Sequence, residues 1–363
     1  MGNMKYLLRK RRALKAASLA GADALLVTHL PDVRYLCGFT GSAGVLSLCK
    51  GQARLFTDGR YREQATAEAV GTAISVESRP PALAAITWLM DRSTRCLFNA
   101  VHVTVAQFDL LKRALPSASR KNFFQPEDGL IARLREIKDA EEMKAMTAAA
   151  NLGCRLFDHA LSEIASGTTE AEIAMMLEQG AKRCGADAMS FDTIVASGER
   201  SALPHGRATS AKLPRNGFVT LDFGVVLEGY CSDMTRTVHL GKPKGEARSV
   251  YDSVLEAQLA AVAAVRAGVE TGAVDEAARS VLRRAGLEEY FIHSTGHGVG
   301  LEIHEGPRIA AKQTSCLRAG MVITIEPGVY LPGRFGVRIE DMVLVTKTGG
   351  EVLTPTTKAL IEL

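Results

Sequence analysis

Short apolar blocks alternate with amphipathic stretches through the first third of the chain. The blocks are rich in branched residues and predict β-strands at 24–27, 44–48, 53–56, 73–76 and 95–98. Helical periodicity predicts a helix from Val105 to Leu115. Strands that alternate with helices in this way indicate an α/β domain with a mixed sheet.

The amino terminus carries a basic run, Arg9 to Arg12, ahead of an apolar stretch. Lys15 and Asp23 interrupt that stretch, so no uncharged segment long enough for an export signal remains. We expect an amphipathic helix over residues 3–20, with the basic run in solvent and four leucines near one face. These are Leu7, Leu8, Leu14 and Leu19.

The pattern changes after a turn-rich segment at 125–129, which predicts two domains, residues 1–128 and 129–363. In the second domain, long amphipathic stretches predict helices at 139–166, 170–184, 248–267 and 274–285. Runs rich in β-branched and aromatic residues between them predict two hairpins. We expect helices packed outside a curved sheet, with a rough internal duplication that gives one hairpin to each half.

Each predicted hairpin carries one carboxylate on either strand. Asp222 and Asp233 lie symmetrically about a midpoint between Leu227 and Glu228, so a tight turn there would place them opposite each other, with Cβ atoms roughly 5 Å apart. Glu326 and Glu340 lie symmetrically about Gly333. The sequence therefore predicts two facing carboxylate pairs.

Apolar neighbours surround these acids, and four carboxylates at one site would repel one another without compensation. Two divalent cations would balance the four negative charges. Oxygen ligands with a single imidazole suit manganese, cobalt, iron or zinc better than copper. We expect manganese first, with cobalt, zinc and iron as alternatives.

Histidines form a second cluster of candidate residues. His293, His297 and His304 fall within twelve residues of a glycine-rich stretch that favours an irregular loop close to a ligand. His205 lies in another polar loop, between Leu203 and Arg207.

These residues resemble the signature of a known family. Asp222, Asp233, His297, Glu326 and Glu340, in this order and spacing, resemble the metal ligands of the pita-bread metallopeptidases, and the surrounding motifs resemble the proline-specific branch, aminopeptidase P and prolidase. The resemblance spans nearly the whole chain and includes segments 35–42, 56–61 and 134–142. It implies an α+β fold, in which a smaller α/β amino-terminal domain of mixed sheet is followed along the chain by a pita-bread catalytic domain.

The resemblance also implies roles for the residues. Asp222 would bind one metal alone, Asp233 and Glu340 would bridge the two, and His297 and Glu326 would complete the other. His205, His293 and His304 are similar to the family's catalytic histidines, which position the substrate and stabilise the tetrahedral intermediate. Arg338, beside Glu340, is expected to contact either the side chains that bind the metals or the substrate carboxylate.

The expected reaction is hydrolysis of an Xaa-Pro bond by a hydroxide that bridges the two metals. Glu326 is the candidate proton acceptor and donor, and His304 the candidate stabiliser of the developing oxyanion. An Xaa-Pro bond is a tertiary amide without an N–H, which calls for a dedicated peptidase. Segments 57–61 and 38–42 favour aminopeptidase P, with prolidase as the alternative.

Other classes remain open at this point. A non-catalytic pita-bread protein that binds peptides, histones or RNA would be expected to have lost metal ligands, and a creatinase-like amidinohydrolase works without metals. Methionine aminopeptidase shares the ligands but fits poorly with a long amino-terminal domain. The retained set of five disfavours the first two.

Composition narrows the setting. A net charge of +4, from 44 basic and 40 acidic residues, is too small to indicate nucleic-acid binding, and no run of 18 apolar residues predicts a membrane span. Seven scattered cysteines without CxxC pairs favour reduced thiols in the cytoplasm. The family resemblance implies a homodimer.

Overall fold

The computed structural model describes residues 2–363, with side chains from residue 4 onward. Contacts divide the chain into two compact units, Met1–Arg135 and Glu136–Leu363.

The first unit is built on one six-stranded sheet. Its helices and strands are, in order, α1 Gly2–Leu19, β1 Ala24–Val27, α2 Leu30–Cys37, β2 Gly44–Cys49, β3 Gln52–Asp58, α3 Arg62–Glu68, β4 Ala73–Glu77, α4 Pro81–Met90, β5 Cys96–Asn99, α5 Val105–Arg113, β6 Phe124–Glu127 and α6 Leu130–Arg135. The sheet order is β4-β3-β2-β1-β5-β6, with parallel and antiparallel neighbours. The predicted mixed α/β sheet is confirmed. The one strand missed, β6, contains Pro126 and lies at the sheet edge, where a proline is tolerated.

Helix α1 buries a different face from the one predicted. Leu7, Leu8 and Leu19 are exposed, whereas Arg9 and Lys10 are buried. The Lys10 Nζ donates to the main-chain oxygens of Val70 and Gly71, at 2.7 Å each. A long cationic side chain that satisfies buried carbonyls can thus occupy an interior position that periodicity assigns to leucine.

The second unit carries the two helix pairs and both hairpins. Its elements are α7 Ala140–Ala160, α8 Glu170–Arg183, β7 Ala188–Met189, β8 Ile194–Ser197, β9 Gly217–Phe223, β10 Val225–Leu227, β11 Tyr230–Cys231, β12 Met234–Leu240, α9 Glu246–Ala264, α10 Thr271–Arg284, β13 Gly296–Gly298, β14 Glu305–Ile309, β15 Val322–Ile325, β16 Gly328–Leu331, β17 Phe335–Arg338, β18 Asp341–Val345 and β19 Gly350–Val352. All four predicted helices are present. The main sheets have the orders β12-β9-β8 and β14-β13-β15-β18-β19.

Helices α7 and α8 pack on strands of the first half of this unit, and helices α9 and α10 pack on strands of the second half. Apolar side chains of α7 and α8, among them Phe157 and Leu177, form one core with β8, β9 and β12. Side chains of α9 and α10, among them Val254, form a second core with the strands of the other half. Capping boxes begin both α7 and α8, which fixes where these helices start.

The two halves repeat the same backbone contact. The first amide of α8, at Glu170, donates to the Ala211 carbonyl at 3.0 Å, and the first amide of α10, at Thr271, donates to the Ser315 carbonyl at 2.8 Å. Helix amino termini leave such amides without intrahelical partners, so each half satisfies them with a main-chain oxygen from a later segment of the same half. This repetition agrees with the predicted internal duplication.

The first carboxylate hairpin turns at Glu228 and Gly229, which have positive φ angles of 50° and 77°. The register continues through β9 and β12 and places Asp222 opposite Thr235. The prediction that Asp222 faces Asp233 directly is therefore wrong by two residues. Cross-strand residues offset by two are diagonal neighbours on one face, and both aspartates line the same cavity.

The second hairpin has the predicted symmetry. β15 pairs Ile325 with Asp341 and β16 pairs Gly328 with Arg338, and both registers are centred on Gly333. That glycine has a φ of 69°, which a residue with a side chain rarely adopts. Glu326 and Glu340 therefore lie opposite each other in the register.

A buried arginine fastens the strands that bear the acids. Arg236 on β12 donates through Nη1 to the main-chain oxygens of Thr235 and Glu340, and through Nη2 to Asp341 Oδ1 at 2.7 Å. Nη2 also donates to the main-chain oxygen of Thr354 at 3.0 Å. Arg236 thereby ties the starts of β12 and β18 to the carboxyl-terminal segment.

Replacing Arg236 with methionine should destabilise the protein by about 3–5 kcal/mol, because Asp341 would lose a buried cationic partner. The free energy of unfolding in urea measures this. Arg248→Met is the matched control, since Arg248 forms an exposed pair with Asp252 and should change stability by less than about 1 kcal/mol. Equal effects of the two substitutions would contradict the assignment.

Candidate metal centre and active site

The four predicted carboxylate ligands lie at strand ends in both halves of the second unit. Asp222 lies near the end of β9 and Asp233 just before β12, while Glu326 follows β15 and Glu340 precedes β18. His297 is the middle residue of the short strand β13, so its stretch is less irregular than predicted.

The side-chain atoms of these residues converge. His297 Nε2 lies 3.6 Å from both Asp233 Oδ2 and Glu326 Oε1, and donor atoms of Asp233, His297 and Glu340 all lie within 4.8 Å of one another. Distances of 3.6 Å are long for hydrogen bonds. They suit ligands that share a cation at about 2.0–2.2 Å.

Main-chain contacts fix which nitrogen of His297 faces the cluster. Its Nδ1 lies 2.9 Å from the Gly298 carbonyl oxygen, so Nδ1 carries the proton and Nε2 keeps its lone pair. Burial lowers the pKa of His297 to about 4. The ring is therefore neutral at physiological pH, the form that binds a metal.

Three carboxyl groups of the cluster have pKa values above their ordinary range. Burial raises the pKa of Glu326 to about 7, against the opposing charge of Arg338. Burial, with the charge of neighbouring carboxylates, raises the pKa values of Asp233 and Glu340 well above their ordinary range. Without cations, this cluster holds protons that exposed carboxylates would release.

Asp222 supplies the clearest sign of a missing partner. Its Oδ2 accepts from Arg338 Nη2 at 2.5 Å, but its buried Oδ1 has no hydrogen-bond partner in the described chain. An unpartnered carboxylate oxygen in a buried site is costly. A divalent cation would satisfy it, so the donor set fits two such ions.

Two threonines orient the glutamates. Thr235 Oγ1 donates to Glu340 Oε2 at 2.7 Å, and Thr324 Oγ1 lies 3.4 Å from Glu326 Oε1. Neither threonine was predicted, although each lies in one of the predicted hairpin strands. Their role becomes visible only once the register is known.

The cluster forms one wall of a cavity of about 740 Å³. All three additional predicted histidines line it: His205, His293 and His304. His304 is exposed, with its ring centroid 4.5 Å from that of His297. Its imidazole is free to approach a substrate beside the ligand cluster.

His293 is more constrained. Its Nε2 lies 2.9 Å from Tyr330 Oη, and its Nδ1 lies 2.8 Å from the Ser294 carbonyl. Burial lowers the pKa of His293 to about 4, so this imidazole is neutral. Tyr330 was not predicted. The available signal was a tyrosine in a buried hairpin strand, where its hydroxyl requires a partner.

All three guanidinium nitrogens of Arg338 donate hydrogen bonds. Besides Asp222, its guanidinium donates to Tyr330 Oη at 2.6 Å, to the Pro204 carbonyl at 3.1 Å and to Thr235 Oγ1 at 3.1 Å. These contacts favour a role in holding Asp222 and Tyr330. Its donors are poorly placed to take a substrate carboxylate as well.

Arg308, which was not predicted, also lines the cavity. It is exposed and makes no hydrogen bond or ion pair within the described residues. The register pairs it with His297 across β13 and β14. An unpaired guanidinium beside a ligand histidine marks a binding position for an anionic group.

Four carboxylates and one imidazole that converge on one cavity form a candidate metal centre. Residues 144–347 match the model of metallopeptidase family M24, and residues 9–137 match the Creatinase/Prolidase N-terminal domain. The chain belongs to metallopeptidase family M24. The predicted family, enzyme class and fold are thereby confirmed.

Individual relatives cover almost the whole chain. The Xaa-Pro dipeptidase of Pyrococcus horikoshii is 37% identical over 343 residues, 93% of this chain and 94% of the relative. The structure of an Xaa-Pro dipeptidase from Bacillus anthracis matches with a TM-score of 0.94 at 41% identity, covering 99% and 100% of the two chains. An X-Pro aminopeptidase from Thermotoga maritima matches with a TM-score of 0.88 at 34% identity, covering 96% and 100%.

Among the described residues, no helix is long and apolar enough to cross a membrane.

The raised carboxylate pKa values predict a pH-dependent response to metal. In metal-free protein, the stability that these groups contribute is present below about pH 4.5 and is lost as the pH rises through about 7, the pKa of folded Glu326. Cations replace the protons. Calorimetry should therefore show that Mn²⁺ raises the Tm of chelator-treated protein more at about pH 8 than at about pH 5.5.

Glu340→Gln is the control, since it removes one donor and should reduce the gain in Tm at the higher pH. A gain that is equal at both pH values, or absent, would contradict a cation site at this cluster.

Proposed function

We propose that the protein is an Xaa-Pro dipeptidase that holds two divalent metal ions with Asp222, Asp233, His297, Glu326 and Glu340. The observation that carries the proposal is the convergence of four carboxylates and one imidazole on a cavity that is also lined by Arg308, an arginine without an ion pair to any described residue. Manganese is the proposed metal, because the set contains mostly oxygen donors and one imidazole.

Bound at this cluster, two divalent cations would supply Lewis acidity and lower the pKa of water toward neutrality. The protein's own residues manage the proton. Glu326, whose Oε1 lies 3.6 Å from His297 Nε2 at the ligand cluster, is proposed to accept a proton from the attacking water and to return it to the proline nitrogen.

The histidines are proposed to handle the substrate. His304, exposed in the cavity beside His297, can donate a hydrogen bond to the carbonyl oxygen as negative charge develops there. His205 lies on the same cavity lining and is proposed to orient the peptide. His293, with its Nε2 at Tyr330, is proposed to hold that wall of the cavity in place.

Arg308 favours a dipeptide substrate. A dipeptide ends in a carboxylate on the residue directly after the scissile bond, so its negative charge lies close to the metal centre. Arg308 is the cross-strand partner of His297 and makes no hydrogen bond or ion pair with another described residue. Arg207 also lines the cavity but is paired with Asp192 at 2.7 Å.

Similarity supports the same choice. The Xaa-Pro dipeptidase from Bacillus anthracis is more similar in sequence and structure than the X-Pro aminopeptidase from Thermotoga maritima. The preference for aminopeptidase P, drawn from segments 38–42 and 57–61, is therefore less well supported than its alternative. The homodimer and the cytoplasmic location stay predictions.

The test is a comparison of substrates. Manganese-loaded protein should hydrolyse Ala-Pro with a kcat/KM roughly tenfold or more above that for Ala-Pro-Ala, and should leave Ala-Ala nearly intact. Preferred cleavage of the tripeptide would instead identify an aminopeptidase P. Unchanged turnover after metal removal would rule out the proposed metal centre.

A second experiment tests the carboxylate contact. Arg308→Ala should lower kcat/KM for Ala-Pro by about 10- to 100-fold, because a hydrogen bond to a charged group contributes about 1.5–3 kcal/mol. The same substitution should barely affect Ala-Pro amide, which lacks the carboxylate. Arg207→Ala is the matched control, and a larger loss in that variant would transfer the role to Arg207.

A further inference from the structure

We propose that the partly buried ion pair Asp275–Arg279 on α10 is a positioning pair that holds the segment bearing His293 and His297 in its metal-binding shape. The inference rests on the proposed function, since it concerns the same metal centre. Neither residue is a candidate ligand, and neither lines the cavity that contains the ligand cluster.

The carboxylate of Asp275 is almost completely buried, with 1% of the residue exposed. Its Oδ1 accepts from Thr295 Oγ1 at 2.7 Å and from Thr295 N at 3.3 Å, while Oδ2 accepts from Arg279 Nε at 2.8 Å. Asp275 therefore holds both the main chain and the side chain of a residue between the two histidines.

The guanidinium of Arg279 holds the same segment two residues earlier. Nη2 donates to the main-chain oxygen of His293 at 2.7 Å, and Nη1 donates to that of Phe291 at 3.2 Å. The guanidinium carbon also lies 4.3 Å from the centroid of the Phe291 ring. The planar fork thus fixes two carbonyls at once, which a single ammonium group does less well.

The held segment has no regular structure of its own. A 3-10 turn ends at Tyr290 and β13 begins at Gly296, so residues 291–295 lack a sheet or helix partner. Buried backbone groups outside such ladders need other partners, and α10 supplies them. The conformation of this segment therefore depends on the ion pair.

Two contacts carry this constraint into the metal centre. The Thr295 carbonyl accepts from the main-chain amide of Glu326 at 2.8 Å. Next to it, Gly296 packs so closely that an added Cβ would lie 1.9 Å from the Thr324 oxygen. A shift of Thr295 would consequently move the backbones of both His297 and Glu326.

Helix α10 is a rigid base for this pair. Asp275 and Arg279 are four residues apart and so lie on one face of the helix, which is anchored in the core by Val274, Ala278 and Leu282. Arg283, one turn further, is also ion-paired, but with Glu276 and Glu288 on the exposed surface, and none of its hydrogen bonds within the described chain goes to residues 291–295. It is a matched control.

The experiment compares Asp275→Asn, Arg279→Met, Arg279→Lys and the control Arg283→Met with the unaltered protein. Titration of chelator-treated protein with Co²⁺ gives the affinity, and the visible absorption of bound Co²⁺ reports its ligand geometry. Asp275→Asn keeps an acceptor for Thr295 but turns an amide toward Arg279, so it breaks the ion pair without opening a cavity.

We expect Asp275→Asn and Arg279→Met to lose about 10- to 100-fold in Co²⁺ affinity, with an altered visible spectrum and a fall in kcat larger than the change in KM. Arg279→Lys should recover part of the affinity, and Arg283→Met should match the unaltered protein. If Arg279→Met does not fold, Asp275→Asn decides the question.

The pair is only structural if Asp275→Asn and Arg279→Met lower the Tm but keep the Co²⁺ affinity and spectrum of Arg283→Met. That outcome overturns the proposal and leaves the proposed function intact. If the unaltered protein itself binds no Co²⁺ and cleaves no Xaa-Pro peptide, the failure belongs to the proposed function.

Discussion

Mutual repulsion among buried carboxylates is the constraint on which the second unit depends. Asp222, Asp233, Glu326 and Glu340 line one cavity, and burial together with like charge raises the pKa values of Asp233 and Glu340. A chain selected only for stability would place apolar residues there. Four acids can persist at such a site if cations neutralise them, and Asp222 Oδ1 has no hydrogen-bond partner among the residues that the structure describes.

Arginine side chains and residues of helix α10 hold these acids and the histidine segment in position. Arg338 pairs with Asp222, and Arg236 ties the main chain at Glu340 to the carboxyl-terminal segment. Asp275 and Arg279 do the same for the histidine segment. Each device uses a buried charge whose partners are satisfied, so strand ends that repel one another are kept within a few ångströms. A site of this kind requires its supporting residues to be nearly as exact in position as its ligands.

The sequence predicted the elements and the ligand cluster better than it predicted contacts. The periodicity of hydrophobic residues located five of the six strands of the first unit and the four long helices of the second, and the mirror about Gly333 gave the correct register for Glu326 and Glu340. The other hairpin was displaced by two residues, because the left-handed pair Glu228 and Gly229 sets the turn rather than the geometric midpoint. The aspartates nevertheless line one cavity, since an even shift preserves the face.

Helix α1 was predicted with the wrong buried face, because periodicity counts hydrophobic residues and does not show that Lys10 finds three acceptors in the interior. Tyr330 and Arg308 were not predicted for a related reason. The residues around each side chain come from distant parts of the chain, and the sequence pattern does not show which of them lie close together.

Substrate length cannot be a property of the five ligands, because aminopeptidase P and prolidase share them. It must be set by groups at a defined distance from the scissile bond. Arg308 meets this condition, since its pairing with His297 across two strands places their Cβ atoms about 5 Å apart and on one face. Each further residue in a peptide would carry the terminal carboxylate roughly 3.5 Å beyond that point. Under the proposed function, the guanidinium of Arg308 on the strand next to His297 would bind the terminal carboxylate of a peptide that ends directly after proline, and would favour it over a longer one.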